Sequence, residues 1–215
     1  MTNPIIISLS ILAAILALAS IVVKVIGKQK YYDILKPLTS ICILVIAFIV
    51  HRETSSVYSS VMIGGICLSL IGDVFQLRES RFVHGLAAFL FAHLFFALGF
   101  ISIYGFYTGI APLIGLLVIG LYYYSTLQSS LGKYRLPVLV YILVIIIMNW
   151  QATGLAITGD GLPFLMICIA SLLFSFSDAV IAYDKFKRHF SSAQIWILST
   201  YWIAIYVFVI AGLYV

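Results

Sequence analysis

The chain has 215 residues, of which 64% are hydrophobic and 9% charged, and its mean hydropathy is +1.19. Soluble domains carry charge on about a quarter of their residues, so this composition excludes one, and eight bilayer spans of roughly 20 residues would use most of the chain. Lys and Arg total 12 against 7 Asp and Glu, a formal net charge of +5; in so apolar a chain the placing of those cations reports membrane topology and calls for no nucleic-acid partner.

Apolar windows bounded by charges, Gly or Pro predict eight membrane helices within one integral domain over 1–215: 5–23, 37–50, 57–77, 82–103, 109–128, 136–157, 162–183 and 195–215. The fold class is an all-α bundle, because lipid cannot satisfy an open backbone and these continuous runs lack the polar-in alternation of a membrane barrel. In the first span Ala17-Leu18-Ala19 imitates a signal-peptidase site. No Lys or Arg precedes it within 1–4 and the apolar run continues to Val23, so the span is expected to stay uncleaved. Lys36 stands beside Pro37 at the mouth of the short second helix, and the third closes on Gly72-Asp73.

With a rise of about 1.5 Å per residue, His93 falls about 16 Å into the fourth helix, near the midplane, while His84 stays close to the inner surface. Tyr124 lies about 6 Å from the inner end of the fifth helix, Tyr141 about 8 Å into the sixth and Tyr201 about 9 Å into the eighth. Asn149, Trp150 and Gln151 interrupt the outer half of the sixth, and Ser177-Asp178 sits near the inner end of the seventh. Cys42, Cys67 and Cys168 each lie in an apolar run without CxxC or Cys/His ligand spacing and read as small core residues.

Lys24, Lys28, Lys30, Lys36, Arg78, Arg81, Lys133, Arg135, Lys185, Lys187 and Arg188 flank the first, third, fifth and seventh connections, leaving Arg52 alone on the opposite side. Short-loop cations stay in the cytoplasm, so both termini are expected outside and those four connections inside. In a bacterium the host bilayer would be the inner membrane. Ser69-Leu70-Ile71-Gly72-Asp73-Val74-Phe75 and Phe174-Ser175-Phe176-Ser177-Asp178-Ala179-Val180 echo each other four helices apart, which makes a four-plus-four pseudo-repeat a candidate.

Five of the acidic residues fall in loops or at span ends, where water solvates them. Asp73 and Asp178 do not: each is expected about 6 to 8 Å below the inner end of its helix, in one layer of one leaflet. An ionisable group there is unfavourable by several kcal/mol unless it meets a polar cavity or partner, and such groups mark functional sites by default. A single Asp could be a structural partner of a loop Arg; two at matched depth make that reading weaker. Tyr141, Tyr201, Tyr124 and Lys36 reach the same layer, although each Tyr also fits an interfacial aromatic belt. A lone buried His93 is more often a helix-to-helix hydrogen-bonder than a ligand. No HExxH, HxxxH, nucleophile elbow, P-loop or dinucleotide fingerprint occurs, so neither a metal nor a cofactor is expected.

These residues resemble the YhhN-like lysoplasmalogenases, small eight-helix membrane proteins of bacteria and animals. The likeness is carried by Lys36-Pro37-Leu38, Gly72-Asp73, His93, Pro137 with Tyr141 and Met148, Ser177-Asp178 with Phe186, and Thr200-Tyr201. The eighth helix departs from the family's common Tyr-Tyr-x-Ala-Gln, reading Tyr201-Trp202-Ile203-Ala204-Ile205. The resemblance implies cleavage of the vinyl ether bond of lysoplasmalogen, a lysophospholipid drawn from among membrane lipids, to a fatty aldehyde and a glycerophospho-ethanolamine or -choline. Such bonds break when an acid protonates the β-carbon and water captures the oxocarbenium ion, which needs one protonated and one ionised group, as in glycosidases. Withdrawal from water favours the uncharged carboxyl, and a pair of aspartates could fill both roles. The lipid phosphate is expected near Lys36, the ether near Asp73 and Asp178, and the chain toward His93, with Tyr141, Tyr201, Ser177 and Tyr124 around it.

Two other classes compete. A transporter or flippase would use the aspartates to bind protons or cations, but both lie near one surface and no helix pair carries the Gly/Pro interruptions of broken helices. A membrane scaffold leaves the polar layer unexplained.

Overall fold

Local signals start the helices where the chain enters each span. Asn3 accepts the Ile5 N–H through its side chain (2.9 Å) ahead of Pro4, Ser56 accepts the Ser59 N–H (3.1 Å), and Pro163 occupies a first-turn position that needs no donor. The computed structural model describes residues 3–215. In them the helices are α1 Pro4–Val25, α2 Gln29–Thr54, α3 Val57–Gln76, α4 Phe82–Tyr104, α5 Ile110–Leu127, α6 Arg135–Thr158, α7 Leu162–Phe186 and α8 Ala193–Ala211. Short 3-10 turns at Glu79–Arg81 and Gly132–Tyr134 lead into α4 and α6. All eight helices are long and apolar enough to cross a bilayer, and the protein is an integral membrane protein of the all-α class.

Two helices differ from the hydropathy windows in ways that move the site. α2 begins at Gln29, not at Pro37, because Tyr32, Lys36, Thr39, Ser40 and Ile43 form one buried stripe at helical spacing while Lys30, Tyr31 and Ile34 face outward. Pro37 is therefore interior, and Lys36 is buried on the core face instead of standing at a mouth. α7 continues past the first charge, Asp184, to Phe186. Counted along their own helices, Asp178 lies about 12 Å and Asp73 about 4.5 Å from the last helical residue, because α7 runs further beyond the site than α3 does.

α8 is the hub, packing against α7, α1, α2 and α3, while α4 bridges α3 to α6 and α5 packs mainly on α6. α1, by contrast, packs on both α2 and α8, so the helices that a four-plus-four repeat would equate stand in different surroundings. The tightest pair is α3 with α4, where small residues let the backbones close. A Cβ on Gly72 would come within 2.6 Å of the Phe89 ring, and one on Gly65 would collide with the Phe96 ring. Phe89 in turn packs edge-on against Phe174 and Tyr201, at centroid distances of 6.3 and 5.7 Å.

On the far side of the bundle, Trp150 Nε1 donates to the Gly109 carbonyl (2.8 Å) and Gln151 accepts the Tyr107 N–H (2.9 Å). These polar residues pin the α4–α5 connection onto α6. Asn149 instead faces α7, donating to Ser175 Oγ (2.6 Å) and accepting from Ser171 Oγ (2.9 Å).

Because Gly72 holds Phe89 against Tyr201, Gly72→Ala should destabilise the protein by about 1–3 kcal/mol, the usual range for overpacking. Gly115, with nothing within 4 Å of a built Cβ, is the control. Thermal unfolding in detergent should show a lowered midpoint for Gly72→Ala and none for Gly115→Ala; equal midpoints would mean the α3–α4 contact has slack.

Candidate active site

Asp73 has 1% of its surface exposed and Lys36 has 4%, and their charged ends meet, Lys36 Nζ lying 3.2 Å from Asp73 Oδ1. The second oxygen, Oδ2, accepts from Ser40 Oγ at 2.5 Å and from Tyr201 OH at 2.8 Å. Trp202 Nε1 donates to Ser40 Oγ (3.2 Å), and Lys36 Nζ also donates to Gln76 Oε1 (3.2 Å). α2, α3 and α8 thus converge on one carboxylate whose neighbours are all donors. That arrangement suits the ionised form.

Asp178 is built differently. Its Oδ2 accepts from Tyr141 OH at 2.8 Å and lies 3.0 Å from His93 Nε2. The other ring nitrogen, Nδ1, is 2.6 Å from the Phe89 carbonyl. A carbonyl can only accept, so Nδ1 carries a hydrogen. The contact is too misaligned for a hydrogen bond, and Nε2 has no hydrogen-bond partner among the described residues. Asp178 and His93 are thus neighbouring polar groups in one buried site, with the imidazole tautomer set from the Phe89 side.

Two spaces meet at Asp178, and a third adjoins one of them. A cleft of about 10 Å³, room for about one water, is lined by Lys36, Asp73, Gln76, Ser177, Asp178 and Tyr201 among others. An apolar cavity of about 330 Å³ lies among α4, α5, α6 and α7; Gln76, Asp178 and Ile181 belong to both walls. The cavity continues past Ile142, Ile146 and Leu172 to Asn149 and Ser175. An open groove of about 700 Å³ at the α7–α8 connection shares Tyr123, Phe176 and Ala179 with it.

The residues singled out in the sequence fall into two groups. Asp73, Asp178, Lys36, Tyr141, Tyr201, His93 and Ser177 come together around the cleft and its two carboxyls. Ser177 spends its hydroxyl on the Ile197 carbonyl (3.0 Å), tying α7 to α8. His93 lies against Asp178, with Nε2 3.0 Å from Oδ2, so α4 brings its buried imidazole to the carboxyl of α7. Tyr124 stands apart: its hydroxyl faces the Arg135 carbonyl at 3.4 Å, and the residue lining the cavity is Tyr123, which donates to the Ala179 carbonyl at 2.6 Å. His84 packs on the Phe75 ring, away from His93. Gln76, Ser40 and Trp202 were not anticipated. Gln76 carried a signal, three positions after Asp73 and so on the same helix face; Ser40 and Trp202 carried none, since nothing in the sequence says α2 and α8 meet there.

The YhhN family model matches residues 31–212. Human lysoplasmalogenase TMEM86B is 32% identical over 160 residues, covering 73% of this chain and 65% of that protein. Bovine lysoplasmalogenase TMEM86A is 32% identical over 151 residues, covering 65% and 60%. The uncharacterized membrane protein YhhN of Escherichia coli O157:H7 is 28% identical over 160 residues, covering 73% and 75%. The chain thus spans less than two thirds of the length of the two mammalian relatives. No solved structure matches.

Removing one partner of a buried ion pair leaves the other uncompensated, which is unfavourable by about 3–5 kcal/mol. Asp73→Asn and Lys36→Met should each lower the unfolding midpoint in detergent markedly, and the double variant should recover much of the loss. Additive losses would show that the two side chains are stabilised independently of each other.

Proposed function

The chain belongs to the YhhN family, and from that premise we propose that it is a membrane hydrolase cleaving the vinyl ether of lysoplasmalogen to a fatty aldehyde and glycerophospho-ethanolamine or -choline. The observation that supports it best is the junction at Asp178, where a carboxyl beside an imidazole, a water-sized cleft shared with Asp73 and a chain-sized apolar cavity adjoin. An ester hydrolase would want an activated nucleophile and donors aimed at an oxyanion. Here the groups at the junction suit the opposite charge.

The acid is the Asp178–His93 pair: in the protonated pair, the proton passes from the Asp178 carboxyl to the β-carbon of the vinyl ether, beside the His93 imidazole. The electrons of the double bond form the new C–H bond, and the ether oxygen shares the positive charge left on its neighbouring carbon. Asp73 is the base: its carboxylate, held by Lys36, Ser40 and Tyr201, stabilises that cation and takes a proton from the water in the cleft as its oxygen bonds to the charged carbon. The hemiacetal then breaks its original C–O bond, its hydroxyl proton ending on the departing glycerol oxygen, and the proton on Asp73 returns to the pair. One water is consumed. Tyr141 fixes Asp178 and Phe89 fixes the His93 tautomer, so both act by positioning.

The cation partition supports a site near the cytoplasmic leaflet with both termini outside. The alkyl chain belongs in the cavity among α4, α5, α6 and α7 and not against His93, which does not line it.

The test is aldehyde release by the purified protein in detergent. Wild type should cleave lysoplasmalogen and leave an acyl-ester lysolipid intact. Asp178→Asn, whose amide keeps the shape of the carboxyl but has no acidic proton, should lower turnover by about a hundredfold or more with an unchanged unfolding midpoint. Comparable cleavage of the ester, or near-normal turnover in Asp178→Asn, would overturn the assignment.

A further inference from the structure

Lys36 is the cation that sequence reasoning offers to the lipid phosphate, yet its ammonium is buried and already engaged by Asp73 and Gln76. A phosphodiester entering that cleft would have to displace a carboxylate from a space with room for about one water. Some other cation must meet the headgroup if the ether bond is to reach Asp178.

We propose that the groove at the α7–α8 connection seats the phosphodiester of the lysolipid, with Arg188 as its ion-pair partner and His189 as a second donor. It rests on the hydrolase reading above and adds the headgroup subsite to it. The groove is lined by Arg188, His189, Tyr183 and Ser191, and it shares Phe176 and Ala179, close neighbours of Asp178 in α7, with the apolar cavity. A lysolipid carries its headgroup, ether bond and chain in that order; the groove opens into the apolar cavity at Tyr123, Phe176 and Ala179, and Asp178 stands on the cavity wall one residue from Ala179. Arg188 is exposed and makes no ion pair among the described residues, so its guanidinium is open to bidentate contact with a phosphate.

The loop is shaped to hold these groups. Asp184 Oδ1 accepts the Phe190 N–H at 3.1 Å and lies 2.9 Å from His189 Nδ1. That fold-back engages Nδ1 and leaves Nε2 as the ring atom available to a ligand. Tyr183 accepts the Arg188 N–H at its carbonyl (3.0 Å), closing the last turn of α7 beneath the cation.

The experiment measures equilibrium binding to the full-length protein in detergent with three probes that are not cleaved: a saturated 1-O-hexadecyl lysophosphocholine, 1-O-hexadecylglycerol without a phosphate, and water-soluble glycerophosphocholine without a chain. Arg188→Ala, at an exposed position, should weaken the lysophosphocholine about tenfold or more and leave hexadecylglycerol unchanged. Arg188→Glu should weaken it further, and turnover of the natural substrate in Arg188→Ala should fall through KM with kcat kept. Unchanged lysophosphocholine binding in both variants would overturn the headgroup site while leaving aldehyde release, and so the hydrolase reading, intact. Glycerophosphocholine binding as tightly as the lipid would make this a soluble-anion site and overturn it as well. Failure of the wild type to bind either lipid would sink the cavity reading and the headgroup site together.

Discussion

A carboxylate withdrawn from water must be met by donors or by a cation, and that requirement at Asp73 organises the bundle. α2 supplies Lys36 and Ser40, α8 supplies Tyr201, and Trp202 holds Ser40 from the same helix. Satisfying one side chain thus forces α2, α3 and α8 together at one level and fixes the rotation of each about its axis. α8 becomes the hub because it carries donors toward α2 and α3 on one face and packs α7 on another.

From that fixed corner, aromatic packing carries the geometry to the second carboxyl. Tyr201 packs on Phe89 and Phe174; Phe174 lies 4.5 Å from the His93 ring, and Phe89 supplies the carbonyl that sets the His93 tautomer. The two acidic groups differ in what they touch: a cation and hydroxyl donors at Asp73, an imidazole and a phenol at Asp178. Unlike surroundings are what an acid and a base working side by side require.

Much of this was legible in the sequence, and the misses share a cause. Continuous apolar runs and the placing of 11 cations gave eight helices. Asp73 and Asp178 were visible because lipid makes buried carboxyls rare. Hydropathy windows end at the first charge, whereas helices end where backbone bonding ends, so α2 and α7 were each cut short. The shortened α2 places Lys36 at a helix mouth, whereas the full helix buries it on the core face. Position along α5 points to Tyr124, but it is Tyr123 that lines the cavity, because depth along a helix is readable from position alone while the facing of a residue in an evenly apolar helix is not. The partners from distant helices, Ser40 and Trp202, depend on tertiary packing that no local pattern records.

Transfer of a proton from the Asp178–His93 pair to carbon is the step that separates this chemistry from hydrolysis by a nucleophile. It is read most directly by running the reaction in D₂O and trapping the aldehyde as it forms for mass analysis. The proposed mechanism predicts a single deuterium on the carbon next to the carbonyl in the product of the wild-type protein. An aldehyde released at the same rate with no deuterium on that carbon would contradict it.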